Sequence, residues 1–178
     1  MAEIKNDAVR CRFVLSRVLR RKLLAECLGC PPSALRFGED REGKPHLLPP
    51  TEWDFNVSHA GDFVVVVASR HPVGVDLEAI REVREMSAIV ARYFHRDEAV
   101  AWFGVGKKFR QEAFYLLWSA REAAMKCAGL GLAKGLAITR VDPAILSAPV
   151  AMAAVGSRTM SVRRLNAPPG YVMFLAEG

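Results

Sequence analysis

The amino-acid sequence predicts an α+β fold built on antiparallel sheets. An Arg- and Leu-rich segment over 8–28 carries apolar residues at helical spacing. Val64-Val65-Val66-Val67 is β-branched throughout, which suits a strand. The order of elements then runs helix, strands, helices, strands, rather than the strand–helix alternation of a parallel βαβ array. A chain of 178 residues fits one compact unit, or two small halves sharing a core, and a hydrophobic fraction of 51% supplies the interior.

In the first helix Val14, Leu15, Val18, Leu19 and Leu23 form the apolar positions, and Gly29 with Pro31-Pro32 stops it. A loop carrying Gly38, Gly43 and Pro45 follows and ends at Pro49-Pro50. Asp54 to Val57 reads as a short strand, Phe63 to Ser69 as a stronger one and, after His71-Pro72, Val73 to Leu77 as a third. Helices are expected over 84–93, 96–103 and 107–128, the last with Phe114, Leu117 and Trp118 on a buried stripe and Gly129 and Gly131 at its end. The remainder reads as short strands over 137–141, 159–165 and 171–176, with Pro149 and Pro168-Pro169 in turns.

A net charge of +6 favours polyanionic partners such as nucleotides or an acidic protein, and equally describes an ordinary basic protein. The basic residues are scattered, with no clustered patch or stacking-aromatic motif, so no nucleic-acid partner is expected. The residues Met-Ala-Glu-Ile-Lys-Asn-Asp lack the apolar stretch of a signal peptide, and Val64 to Ala68 is far too short to cross a bilayer. A cytoplasmic protein with no membrane partner is the expectation. Cys11, Cys27, Cys30 and Cys127 are too few and too irregular for a disulfide framework. No second pair completes a zinc site with Cys27-Leu28-Gly29-Cys30, so free thiols are expected.

Three carboxylates carry the chemistry. Asp76 and Glu78 lie two apart in Val73-Gly74-Val75-Asp76-Leu77-Glu78, so an extended backbone points both to one face. Glu122 could add a third oxygen if its helix crosses that strand edge, giving the carboxylate set that Mg2+ takes beside waters and phosphates. Alone, a D-x-E pair is usually a solvated strand end. Lys126 shares a helix face with Glu122, and an exposed i,i+4 salt bridge worth about 0.3–0.5 kcal/mol is the competing explanation. Ser58-His59 cannot form a nucleophile–base pair from adjacent positions, but hydroxyl, imidazole and loop amides are phosphate donors. Lys44, in Gly43-Lys44-Pro45, reads either as a phosphate contact or as a surface-turn lysine.

Taken in order, Leu35-Arg36-Phe37, Gly43-Lys44-Pro45, Phe55-Asn56-Val57-Ser58-His59, Val73-Gly74-Val75-Asp76-Leu77-Glu78 and Trp118-Ser119-Ala120-Arg121-Glu122-Ala123-Ala124-Met125-Lys126 resemble the 4'-phosphopantetheinyl transferases of the surfactin-synthetase type. Gly170-Tyr171 before an apolar strand also fits. The resemblance implies a pseudo-dimer of two similar α+β halves, residues 1–73 and 74–178, with the ligand in the cleft between them. It implies transfer of 4'-phosphopantetheine from coenzyme A to a serine of an apo acyl or peptidyl carrier protein, by a monomer, releasing adenosine 3',5'-bisphosphate. Asp76, Glu78 and Glu122 would hold Mg2+, with Glu122 also the general base and Lys126 acting on the leaving phosphate. Lys44, Ser58, His59 and Lys126 would contact coenzyme A, and Arg12 its 3'-phosphate. Glu98 matches an acidic residue near the site.

Two departures accompany the resemblance. Arg121 stands where the family usually has lysine, and members commonly carry a strand and a basic segment ahead of the Arg-rich helix. Both raise a second reading, a relative that binds coenzyme A or a carrier without efficient turnover. A metal-dependent phosphohydrolase could use the same ligands.

Overall fold

The computed structural model describes residues 2–178. Helix α1 (Ala2–Leu28) extends the helix expected over 8–28 toward the N-terminus. The segment expected as a loop is a hairpin instead, strands β1 (Arg36–Glu39) and β2 (Pro45–Leu48) pairing antiparallel. Its glycines and proline mark the turn and the strand ends rather than an irregular run. Asp40 closes the turn by accepting from the N–H groups of Glu42 and Lys44 at 2.9 and 2.8 Å. Leu24, Leu35, Leu47 and Phe55 form a small buried cluster joining this hairpin to α1.

Strands β3 (Asp54–Ala60) and β4 (Phe63–Ser69) form a second antiparallel hairpin, longer at its first strand than the sequence implied. Strand β5 (Val73–Ala79) belongs instead to a five-stranded sheet, where it pairs antiparallel with the last strand. Side chains make the joint between β3 and β5. Asp54, Asn56 and Ser58 accept hydrogen bonds from the N–H groups of Val73, Val75 and Leu77 at 2.9, 3.2 and 3.2 Å. Both sets have the period-2 spacing of a strand face, so alternate polar residues replace a backbone ladder across this seam.

Helices α2 (Met86–Tyr93), α3 (Arg96–Gly104) and α4 (Arg110–Cys127) follow, then the single turn α5 (Leu132–Gly135). The expected helix over 107–128 therefore starts later, after a 3-10 turn at Lys107–Phe109. Strands β6 (Thr139–Val141), β7 (Val150–Val155), β8 (Arg158–Leu165) and β9 (Tyr171–Glu177) complete the sheet in the order β5-β9-β8-β7-β6, every pair antiparallel. Strand β7 was not foreseen. Its Ala-Met-Ala-Ala core has weak strand propensity, and the pairing with β8, which buries Ala151, Ala153 and Val155, overrides that preference.

The helix α4 is buried along most of its length against this sheet, with Leu117, Ala120, Ala123 and Ala124 fully enclosed. Its small residues let β5 approach closely. At Gly74 an added Cβ would lie 2.1 Å from the Ala123 carbonyl oxygen and 2.3 Å from the Cys127 nitrogen, both backbone atoms. Strand and helix touch main chain to main chain, and only glycine permits it.

Two residues of the family pattern, Arg121 and Glu98, pair with each other here. Arg121 is fully buried and does not face the carboxylates. Its guanidinium donates to Glu98 at 2.6 Å and to the carbonyls of Thr139, Tyr93 and Leu136 at 2.7, 2.8 and 2.6 Å. Glu98, also fully buried, accepts from the N–H groups of His95 and Val141, both at 2.6 Å, the first bond closing the capping box of α3. The pair ties α4 to α2, α3 and β6. Neither residue is in the acidic cluster, which consists of Asp76, Glu78 and Glu122.

Candidate functional site

Strand β5 and helix α4, brought together at Gly74, present one cluster. Ligand oxygens of Asp76, Glu78 and Glu122 lie within 4.8 Å of one another. Asp76 is 2% exposed and closely held. Its Oδ2 accepts from the Ser119 hydroxyl at 2.7 Å, and its Oδ1 from the Ser58 hydroxyl at 3.2 Å and the Lys126 ammonium at 2.6 Å. Lys126 also donates to Ser58 Oγ at 3.2 Å and stands 3.6 Å from Glu122. The Glu122–Lys126 pair is thus part of a packed network rather than an isolated surface contact.

Negative charge is in excess here. At an effective dielectric constant near 20, two carboxylates about 5 Å apart repel by about 3 kcal/mol, and one ammonium serves all three. Burial, and then the charge of Asp76, raise Glu122 to about 7, against the pull of Lys126. Burial and Asp76 likewise push Glu78 upward, while Lys126 and a hydrogen bond from the Trp118 side chain oppose them. Trp118 is steadied by stacking on Phe114 at 5.8 Å between ring centroids. Converging hard oxygens, an unbalanced charge and a site at a cavity edge match the needs of a divalent cation such as Mg2+.

Two cavities flank the cluster. One, of about 220 Å3, is lined by Lys44, Asn56, Lys126, Gly129 and Leu130. Lys44 is anchored there by an ion pair with Asp54 at 2.7 Å, and Asp54 also accepts from Val73, so the lysine is tied to the β3–β5 seam. The other, of about 400 Å3, is lined by Arg12, His59, Glu78, Arg81 and Tyr115. Arg12 reaches it from α1 and donates to the Gly61 carbonyl at 2.7 Å. His59 is exposed, whereas Ser58, next to it on β3, points the other way and is buried.

All eight candidate residues therefore fall on the cluster or its flanking cavities, but in different capacities. Ser58 reaches the site as a support for Asp76, its proton already engaged, and not as a free donor. Ser119 performs the same task and was not singled out in the sequence. Its spacing offered the signal, since Ser119, Glu122 and Lys126 recur at the three- and four-residue steps of one helix face. Asn56 stands within Phe55-Asn56-Val57-Ser58-His59, and Asp54 opens the strand. Their alternation with Ser58 marks the polar ladder.

A family model described as the 4'-phosphopantetheinyl transferase superfamily matches residues 72–159, and one described as 4'-phosphopantetheinyl transferase, N-terminal, matches residues 4–71. The 4'-phosphopantetheinyl transferase psf-1 of Bacillus pumilus is 34% identical over 125 residues, covering 70% of this chain and 53% of that protein. The 4'-phosphopantetheinyl transferase gsp of Aneurinibacillus migulanus is 32% identical over 123 residues, 68% of this chain and 49% of the relative. For the 4'-phosphopantetheinyl transferase Sfp of Bacillus subtilis strain 168 the identity is 30% over 128 residues, 72% and 55%. The matched region spans about half the length of these curated relatives.

Proposed function

Since the chain belongs to the 4'-phosphopantetheinyl transferase superfamily, we propose that it transfers 4'-phosphopantetheine from coenzyme A to a serine of an apo acyl or peptidyl carrier protein, with Mg2+, releasing adenosine 3',5'-bisphosphate. One observation carries this reading: the three carboxylates within 4.8 Å of one another, with Lys126 on Asp76, between two cavities that bear cationic side chains. In the proposed arrangement residues 1–73 and 74–178 form two similar halves, and the ligand lies along their seam. The adjoining matches at 4–71 and 72–159 support that division.

Asp76, Glu78 and Glu122 would hold the ion, and their hard oxygens fit it. When bound, Mg2+ supplies charge neutralisation at the pyrophosphate, which phosphoryl transfer needs more than covalent help. The serine oxygen forms a bond to the phosphopantetheine phosphorus, the P–O bond to the nucleotide breaks, and the serine proton passes to Glu122, directly or through a water. Without the ion, burial and Asp76 raise this carboxyl to about 7; a bound cation would lower it and leave the carboxylate ionised to accept a proton. Lys126 offers ammonium donors to the departing phosphate. Arg12 and His59 in one cavity and Lys44 in the other would bind the ends of coenzyme A. A net charge of +6 favours encounter with an acidic carrier.

The binding-only reading loses one of its supports, because Arg121 is an internal strut against Glu98 and does not touch the cluster. No described helix is long and apolar enough to cross a membrane, and the proposed setting is the cytoplasm, with the protein acting as a monomer. The decisive experiment incubates the protein with Mg2+, coenzyme A and a panel of apo-carriers. One added phosphopantetheine on a carrier serine, seen by mass and abolished by chelator, is expected. A folded protein that modifies none of the panel contradicts the proposal.

A further inference from the structure

We propose that two copies of this chain pair through β4, edge to edge and antiparallel, joining their β3–β4 hairpins into one four-stranded sheet. The helix α1 of each copy then lies beside its counterpart on one face of that sheet. Catalysis stays with the single chain, because Asp76, Glu78, Glu122 and Lys126 all lie outside β4. The pairing and the functional reading above therefore stand or fall separately.

Among the described residues β4 pairs with β3 alone, and no other group hydrogen-bonds to its backbone. Its outer edge presents a row of free N–H and C=O groups, the template on which another strand adds. Phe63-Val64-Val65-Val66-Val67-Ala68-Ser69 contains no charge and no proline, the devices that ordinarily keep such an edge from pairing. The helix α1 packs along this hairpin and extends the apolar surface past its edge. On one flank the helix is covered by the β1–β2 hairpin, where Leu24 meets Leu35, Leu47 and Phe55. That hairpin sits on the β3 side, with Phe37 against Phe55, so the opposite flank overhangs the free edge of β4. Leu15 precedes Leu24 by two and a half turns, at about 3.6 residues per turn, and stands on that opposite flank. Val14, Leu15 and Val18 are 51%, 42% and 50% exposed and, with Asp62, line a groove of about 850 Å3.

Charge selects a second copy as the occupant. Asp62 and Arg70 bound β4 at its two ends. A twofold axis through Val66 sets Val65 opposite Val67, Val64 opposite Ala68, Phe63 opposite Ser69 and Asp62 opposite Arg70 of the partner subunit. Opposite charges meet at both ends, and every position between them is neutral. A parallel arrangement would set Asp62 against Asp62 instead. Asp62 is exposed and makes no ion pair among the described residues. Arg70 stands 3.5 Å from Glu52 with both side chains largely exposed, and its planar fork keeps further donors free. Arg10 and Arg12 border the groove beside Asp62. The other arginines of α1 are turned aside, Arg17 over Phe13 and Arg20 and Arg21 over Phe37. Like charge on the two helices is therefore kept from the apolar flank that they share.

Analytical ultracentrifugation over a range of about 1 to 100 μM tests the pairing. The mass should rise from 19.6 kDa toward twice that value and stop there. Asp62→Lys and Arg70→Glu should each weaken the dimer at least about tenfold, since each sets like charges opposite one another at both ends. Mixing the two variants, or combining both substitutions in one chain, should restore it, because the charges are then exchanged. Leu15→Lys should weaken it about tenfold as well, by charging the flank of α1. These positions are exposed, so unfolding midpoints within a few degrees of the parent protein establish that the variants fold. A parent protein that stays at 19.6 kDa at every concentration overturns the proposal, as does growth past the dimer into open-ended aggregates. So does a dimer that neither single charge reversal weakens, or one that the exchanged charges fail to restore. Carrier modification, assayed at dilutions where the chain is single, judges the functional reading alone.

Discussion

Replacing Glu122 by Gln should stabilise the metal-free protein while weakening its stabilisation by Mg2+. The folded state raises this carboxyl from 4.5 to about 7, chiefly through burial and then through Asp76. Between those values the folded protein binds a proton that the unfolded chain has released. Stability without metal therefore falls as pH rises across this window, and the loss is complete above about 7. At about 1.4 kcal/mol per unit, the cost of ionising Glu122 reaches about 3 kcal/mol at most. The loss of the Lys126 contact at 3.6 Å offsets part of that relief in the variant. A net gain of about 1–2 kcal/mol is expected at pH 8 in chelator, equivalent to roughly 2–8 °C for a chain of this size.

Thermal and denaturant unfolding at pH 5 and pH 8, with chelator and with Mg2+, measure this directly. The parent should lose stability between the two pH values in chelator and recover it with Mg2+, since a ligand that binds only the folded state stabilises by mass action. Glu122→Gln should show a shallower pH dependence and a smaller response to the ion. Two results refute the reasoning: a variant less stable than the parent at pH 8 in chelator, or one that keeps the parent's full response to Mg2+.

Lys126→Met should act in the opposite sense, costing the metal-free protein about 2 kcal/mol because Asp76 is left buried with hydroxyl donors alone, and lowering carrier modification at least tenfold. Denaturant midpoints with and without Mg2+, beside a turnover assay, report both effects. Arg121→Met should cost about 3–5 kcal/mol by stranding Glu98, with part of the loss regained on adding Glu98→Gln, as read by denaturant unfolding. Gly74→Ala should cost at least about 3 kcal/mol, since its Cβ meets backbone that cannot rotate away, and the variant should lose the thermal shift with Mg2+.

The parts of the site that were legible in the sequence are those where one local period fixes direction. Asp76 and Glu78 share a face because strands alternate, and Glu122 and Lys126 share one because helices repeat every three to four residues. The meeting of β5 with α4 was not legible, because it depends on a main-chain contact between Gly74 and Ala123 that neither segment announces alone. Polar alternation at Asp54, Asn56 and Ser58 likewise resembles a solvated strand until the partner N–H groups on β5 are in view. The direction of Arg121 follows from the helical period as well. Adjacent helical residues point about 100° apart, so an arginine beside Glu122 in sequence faces elsewhere, and here it faces Glu98.

The same geometry separates the roles within the acidic trio. Asp76 receives two hydroxyl hydrogen bonds and an ammonium, so its position is set before any ligand arrives. Glu122 has Lys126 at 3.6 Å and carries the charge that the fold accommodates least well. A fixed carboxylate suits an ion's permanent ligand, because reorganisation on binding is small. One that burial and Asp76 raise to about 7 without the ion keeps a proton at neutral pH until the ion displaces it. The division requires Asp76→Asn and Glu122→Gln to differ in kind. The first should weaken Mg2+ binding across the whole pH range, whereas the second should remove the pH dependence of Mg2+ affinity around neutrality. Calorimetric titration with Mg2+ at several pH values distinguishes them, and identical pH profiles for the two variants would contradict the assignment of roles.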